Sequence, residues 1–216
     1  MRKITCFKAY DVRGRVPSEL DEDVAYRIGR GYATFVQPTT VAVGRDIRAS
    51  SPALAAAVAR GLTDSGVDVL DIGVGGTELA YFATFSRKLD GGIMVTASHN
   101  PPDYNGMKMV REESRPLSED TGLKDIRLLA EHGEFAPAKR RGSVRALDVK
   151  PDYIAHLLQA RVGADRPRSL AHELHAVVVG RIVARGHHDP AVEVLGEGGE
   201  IRSLGPPQAD VEHVDA

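Results

Sequence analysis

The sequence has no tryptophan, a single cysteine (Cys6) and aromatic residues at only 5%. A chain so poor in aromatics must build its core from aliphatic side chains and alanine. One cysteine excludes an intrachain disulfide and suits a reducing compartment, so a cytoplasmic location is expected. No apolar run approaches the ~20 residues that a membrane-spanning helix needs. Met1-Arg2-Lys3 is basic, but the apolar segment of a secretion signal does not follow it. An excess of charge is lacking too. A net charge of -2 is no footprint for nucleic acid or an anionic membrane, and neither is expected as a partner.

What is present is an ordinary globular composition. Hydrophobic residues at 42% and charged residues at 27% can bury a core, and 216 residues make one large domain or one domain plus part of another. From about residue 20 to 133, helix and strand patterns alternate. Thr5 to Arg15 reads as extended, leading into a turn at Gly14. Asp21 to Phe35 reads as a helix with an acidic start. Thr40 to Gly44 is a buried strand. Ser50-Ser51-Pro52 opens a helix with a serine cap and an early proline, and that helix ends near Gly66. Val67 to Ile72 is a strand, Glu78 to Phe85 a helix, and Gly92 to Val95 a third central strand. Asn105-Gly106 signals a tight turn, after which Met107 to Val110 returns as a strand. Thr121 to His132 is amphipathic and stops at Gly133. The alternation predicts a three-layer α/β domain with a mixed, largely parallel sheet over residues 1–135.

Residues 136–150, with the basic cluster Lys139-Arg140-Arg141, read as an exposed connector. A helix begins at Pro151 and opens a partial second α/β domain over 151–180, with Ala176 to Gly180 as a candidate strand. Residues 181–216 read as a divergent, disordered tail. His172, His175, His187, His188 and His213 fall in this last third. The spacing of His172 and His175 is one short of the helical zinc pattern, which argues against a metal site. Gly73-Val74-Gly75-Gly76 lacks the full spacing of a phosphate-binding fingerprint and reads as a turn.

The chemistry concentrates in Thr96-Ala97-Ser98-His99-Asn100-Pro101-Pro102, followed by Asp103-Tyr104-Asn105-Gly106-Met107-Lys108. A hydroxyl at the end of a buried strand, on a loop stiffened by two prolines, sits where α/β proteins place reactive groups. His99 adjoins Ser98, and sequence neighbours on an extended loop point apart, which argues against a hydrolase triad. Lys108 is a mobile cation suited to phosphate. Asp46, after the strand ending at Gly44, is expected to bond the helix start at Ser50-Ser51.

This stretch resembles the phosphoserine loop of the α-D-phosphohexomutases, the phosphomannomutase/phosphoglucomutase family. Phe7-Lys8-Ala9-Tyr10-Asp11-Val12-Arg13-Gly14 is similar to the opening motif of that family, and the resemblance runs from about Thr5 to about Gln159. It implies an isomerase that interconverts hexose 6-phosphate and hexose 1-phosphate, of mannose, glucose or both, through a phosphoserine. Ser98 would carry the phosphoryl group and pass it to a hexose phosphate, forming a bound hexose 1,6-bisphosphate. Lys108 and Arg13 would complete the catalytic set. Tyr10, His99 and Asn100 would meet the substrate, His99 either touching phosphate or shaping the loop.

The resemblance also implies Mg2+, bound by the phosphate on Ser98 together with aspartates of an Asp-Gly-Asp-Gly-Asp-Arg loop. That loop does not occur in the sequence. The expectation is therefore a truncated chain, inactive alone, with a complementing chain as a possible partner. A non-catalytic remnant that binds phosphate or phosphosugar is the rival reading, and a glucosamine phosphate preference is another.

Overall fold

The computed structural model describes residues 2–163, 193–195 and 201–203. The chain divides into two units, Met1–Leu158 and Gln159–Ala216. The first is a three-layer α/β domain. Its elements run β1 (Val12–Arg15), α1 (Glu22–Val36), β2 (Thr40–Arg45), α2 (Ser51–Asp64), β3 (Asp68–Val74), α3 (Thr77–Ser86), β4 (Gly91–Val95), β5 (Tyr104–Arg111), β6 (Arg115–Pro116), α4 (Leu123–His132) and β7 (Val144–Ala146). Helix α5 (Lys150–Gly163) comes next. In the second unit, β8 (Glu193–Leu195) and β9 (Ile201–Ser203) pair antiparallel. The expected strand over Ala176 to Gly180 and the five late histidines lie outside the described residues.

The sheet has seven strands in the order β1-β5-β4-β2-β3-β7, with β6 beside β5. The run β4-β2-β3-β7 is parallel, and β5 joins it antiparallel to both β4 and β1. The mixed sheet expected from the alternation is therefore present, its antiparallel part lying on the β1 side.

Alternation along the strands sorts the core into two faces. Val41 and Val43 of β2, with Ile93 and Val95 of β4, pack with α1, α2 and α4. Ala42 and Met94, from the same strands, pack with Leu79, Ala80 and Ala83 of α3. Local punctuation sets the helix ends. The Asp21 side chain accepts from the Val24 N–H at 2.8 Å and caps α1. Gly133, at φ 70, ends α4 in the left-handed region that glycine adopts freely.

Two expectations change. Thr121, expected to open α4, instead closes a separate 3-10 turn over residues 119–121, because Ser118 and Thr121 cap one another and end the regular register there. The connector holds strand β7, which pairs with β3 at the sheet edge. Asp68 docks it. Its carboxylate accepts from the Ser143 N–H at 2.8 Å and pairs with Arg140 at 2.9 Å. Those bonds, that of Arg140 foremost, hold the Asp68 carboxyl well below its usual range.

Helices α1 and α2 cross with backbones nearly touching. A Cβ at Gly61 would lie 2.3 Å from the Tyr26 carbonyl oxygen, and one at Gly29 would lie 2.6 Å from that of Val58. Neither neighbour is a flexible side chain that could swing away. Gly61→Ala is expected to force the helices apart and destabilise the domain by about 1–3 kcal/mol. An unchanged urea midpoint would contradict this account of the crossing.

Candidate active site

All five residues of β4 are buried, and the chain leaves the sheet at Thr96. Beyond it the backbone closes into a loop. The Thr96 N–H donates to the Gly106 carbonyl at 3.0 Å, and the Thr96 hydroxyl accepts from the Ser98 N–H at 3.1 Å. The Asn100 N–H and side-chain amide both donate to the Ala97 carbonyl, at 3.0 and 2.7 Å. Ser98 is exposed and sits at φ 51, a left-handed conformation that costs a serine about 1 kcal/mol or more. Its surroundings must therefore over-determine it. His99 Nδ1 lies 3.4 Å from Ser98 Oγ, so the two side chains do not point apart as expected, because Ser98 is left-handed rather than extended. Asn100, expected to meet substrate, spends its amide on the loop itself.

The return strand corrects the expected turn at Asn105-Gly106. Both residues lie inside β5. Asn105 is fully buried, and its amide donates to the Ser50 and Ser51 hydroxyls at 2.8 and 2.9 Å. These bonds, reaching across from the start of α2, fix it in the strand. Gly106 is needed for proximity rather than for turning. A Cβ there would lie 2.0 Å from the Val12 carbonyl oxygen of β1.

The register then brings the two expected cations to one sheet face. Arg13 stands opposite Gly106, and Lys108 stands opposite Met94. Directly opposed residues of an antiparallel pair share a face, as do residues two apart on one strand. Arg13 and Lys108 therefore lie on the α3 side, on the face shared by Thr96 at the start of the serine loop. Asp11 lies between them. It is 7% exposed, and its carboxylate accepts from an Arg13 Nη at 2.8 Å and sits 3.7 Å from Lys108 Nζ. Both cations keep more than a third of their side-chain surface open. Tyr10, next to Asp11 in the chain, is 59% exposed. Sequence reasoning misses the role of Asp11, although its two-residue spacing from Arg13 in an extended segment is a usable sign of a shared face.

Asp46 ties the loops together as expected. Its carboxylate accepts from the Ser51 hydroxyl and from the Arg48 N–H. Burial disfavours its charge. Hydrogen bonds from the Ser51 hydroxyl, the Arg48 N–H, the Thr96 hydroxyl and the Ala97 N–H outweigh that and hold the carboxyl below its usual range. Cys6 is inert by contrast, because burial pushes its thiol up to about 12. Among the described residues, no group of three or more His, Cys, Asp or Glu side chains is placed to hold a metal ion. Those residues by themselves do not fit a magnesium site. None of the described helices is long and apolar enough to cross a membrane.

The fold and site together define an α/β/α domain that presents a strained serine on the loop after a parallel strand, with two cations on the sheet face where that loop begins. The family model described as phosphoglucomutase/phosphomannomutase, alpha/beta/alpha domain I, matches residues 5–137, and the chain belongs to that family. It is 59% identical to a phosphomannomutase of Salmonella typhimurium over 160 residues, covering 73% of this chain and 35% of that protein. It is 56% identical to a phosphomannomutase of Klebsiella pneumoniae over 156 residues, covering 71% of this chain and 99% of that one. A crystal structure of a phosphoglucomutase/phosphomannomutase family protein from Burkholderia thailandensis superposes with a TM-score of 0.68 at 36% identity, covering 74% of this chain and 36% of the other. The chain thus spans about a third of the length of the Salmonella relative.

The lowered Asp46 carboxyl carries a pH signature. Its folded value lies below the unfolded value of about 3.9, so its contribution is present above that pH and is lost as the pH falls through the folded value. Asp21 and Asp68 are lowered too and share this window. Asp46→Asn is expected to lower the urea midpoint at neutral pH and to give a shallower, not flat, loss of stability between about pH 5 and 2. Parallel pH curves for the variant and the wild type would contradict this reading of Asp46.

Proposed function

We propose that this chain carries the phosphoryl-transfer serine of a phosphohexomutase acting on hexose phosphates of mannose, glucose or both. The observation that carries the reading is the conformation of Ser98. It is an exposed hydroxyl, held in the left-handed region on the loop that follows β4, and that loop leaves the sheet at Thr96, on the face that bears Arg13 and Lys108. Family membership and the phosphomannomutase names of the relatives support the same reading.

Phosphoryl transfer is mostly positioning and charge neutralisation, and the site supplies both. Phosphorylated Ser98 carries close to two negative charges near neutral pH. A sugar hydroxyl attacks the phosphorus. The P–O bond to the sugar forms as the bond to Ser98 Oγ breaks, the hydroxyl loses its proton, and Oγ takes one up. Lys108 and Arg13 stabilise the charge that develops on the phosphoryl oxygens. Asp11 keeps both cations at the site when no phosphate is present. The bound hexose 1,6-bisphosphate then turns over and returns its other phosphate to Ser98. Tyr10 and His99 line the approach.

The family resemblance implies magnesium, which the described residues do not fit. Ser98 phosphate offers it one anionic group, whereas magnesium is usually held by more than one. A cytoplasmic location fits the single, buried cysteine.

Incubation with glucose 1,6-bisphosphate, followed by peptide mass spectrometry, tests the reading. Phosphate is expected on Ser98, and Ser98→Ala should abolish it. Phosphate on another serine with Ser98 bare, or no phosphate with the donor in excess, would contradict the assignment.

A further inference from the structure

We propose that Arg48 is the positioning residue that holds the Ser98 loop in its reactive shape. Arg48 lies three residues beyond β2, in the loop that leads into α2, and its side chain is 14% exposed. Its guanidinium faces the inside of the serine loop. One terminal nitrogen donates to the carbonyls of Pro101 and Tyr104, at 2.7 and 3.0 Å. The other donates to the carbonyls of Ser98 and Asn100, at 2.8 and 2.6 Å. Its Nε sits 3.5 Å from the Asp46 carboxylate. A single planar cation thus collects four carbonyls from one short loop while an aspartate braces it from behind.

Four carbonyl oxygens turned toward one centre repel each other unless a cation stands among them. The loop's own bonds are the short-range contacts of Thr96, Ala97 and Asn100 and one from the Tyr104 N–H to the Pro101 carbonyl, so the carbonyls of Ser98, Asn100 and Tyr104 gain no partner from within it. The Ser98 carbonyl is among the four. Holding that oxygen fixes the peptide plane after Ser98, and with it the left-handed backbone that turns Oγ outward. Arginine suits the task because its donors form a rigid fork. Lysine keeps the charge but is a point donor on a flexible stem, and it cannot reproduce two pairs of bonds in one plane.

The same residue links distant segments. The Arg48 N–H donates to Asp46 at 3.0 Å, and Asp46 accepts from Ser51, whose hydroxyl in turn accepts from Asn105 of β5. The start of α2, the serine loop and the strand that carries Lys108 therefore share one polar network. Through it, Arg48 sets the direction of Ser98 relative to the cations without touching a reacting atom. Its effect on catalysis rests on the phosphoryl-carrier reading of Ser98; its effect on loop shape does not.

Hydrogen exchange on the full chain, comparing wild type, Arg48→Lys and Arg48→Ala, tests the proposal, with the lysine variant keeping the charge if the alanine variant folds poorly. In Arg48→Lys, peptides spanning 96–104 are expected to exchange about tenfold faster or more, while those over α2 and β4 keep their protection. Labelling of Ser98 by glucose 1,6-bisphosphate should slow by about a hundredfold, the scale of a misplaced reacting group. Added guanidinium ion should restore part of the labelling in Arg48→Ala. The proposal is overturned if loop exchange in Arg48→Lys matches wild type, or if exchange accelerates equally across the whole domain. Absence of Ser98 labelling in the wild type would instead refute the phosphoryl-carrier reading, and the exchange comparison would still decide the role of Arg48.

Discussion

The arrangement depends on β5 lying between β1 and β4 at close range. That pairing sets Arg13 opposite Gly106 and Lys108 opposite Met94, and so brings two cations from distant parts of the chain to the face where the serine loop begins. Its tightest point is Gly106, where even a methyl group would run into the Val12 carbonyl. Thr96 closes the loop onto the carbonyl of this same glycine. Any side chain at that position would push β1 away and carry Arg13 with it.

Charge is managed by sharing. Two cations side by side on a sheet would repel, and an empty phosphate site would leave them without a counterion. Asp11 answers both problems with one buried carboxylate. Behind the loop, Asp46 does the equivalent for Arg48. The site is therefore a layered set of opposite charges, with the exposed layer left open toward the anion that it is proposed to bind.

Much of this is legible in the sequence, because the signals are local. Asp21, Pro52 and Gly133 punctuate their helices through bonds and dihedral limits within one turn, and the structure has those helices starting and stopping there. The alternation of Val41, Ala42 and Val43 already divides the two faces of the core. The failures share a cause. Asn105-Gly106 favours a turn locally, but hydroxyls more than fifty residues earlier in the chain claim the Asn105 amide and hold it in a strand. Strand β7 is three exposed residues with no pattern of their own, and its docking to Asp68 is a long-range event. Asp11 and Arg48 look like ordinary charged residues until the fold reveals what they face. The serine loop can be singled out from its residues, but the cation that holds its carbonyls cannot.

Ser98, once phosphorylated, is proposed to sit in a positive field made by Lys108 and Arg13. Phosphorus NMR of the Ser98-phosphorylated chain, titrated with pH, measures that field directly. Free phosphoserine takes up its second proton at about pH 6. Nearby cations favour the dianion and lower that value. The account predicts a second pKa in the folded protein clearly below that of the same phosphoprotein unfolded in urea, with the difference shrinking in Lys108→Ala. A folded value equal to or above the unfolded one would contradict it.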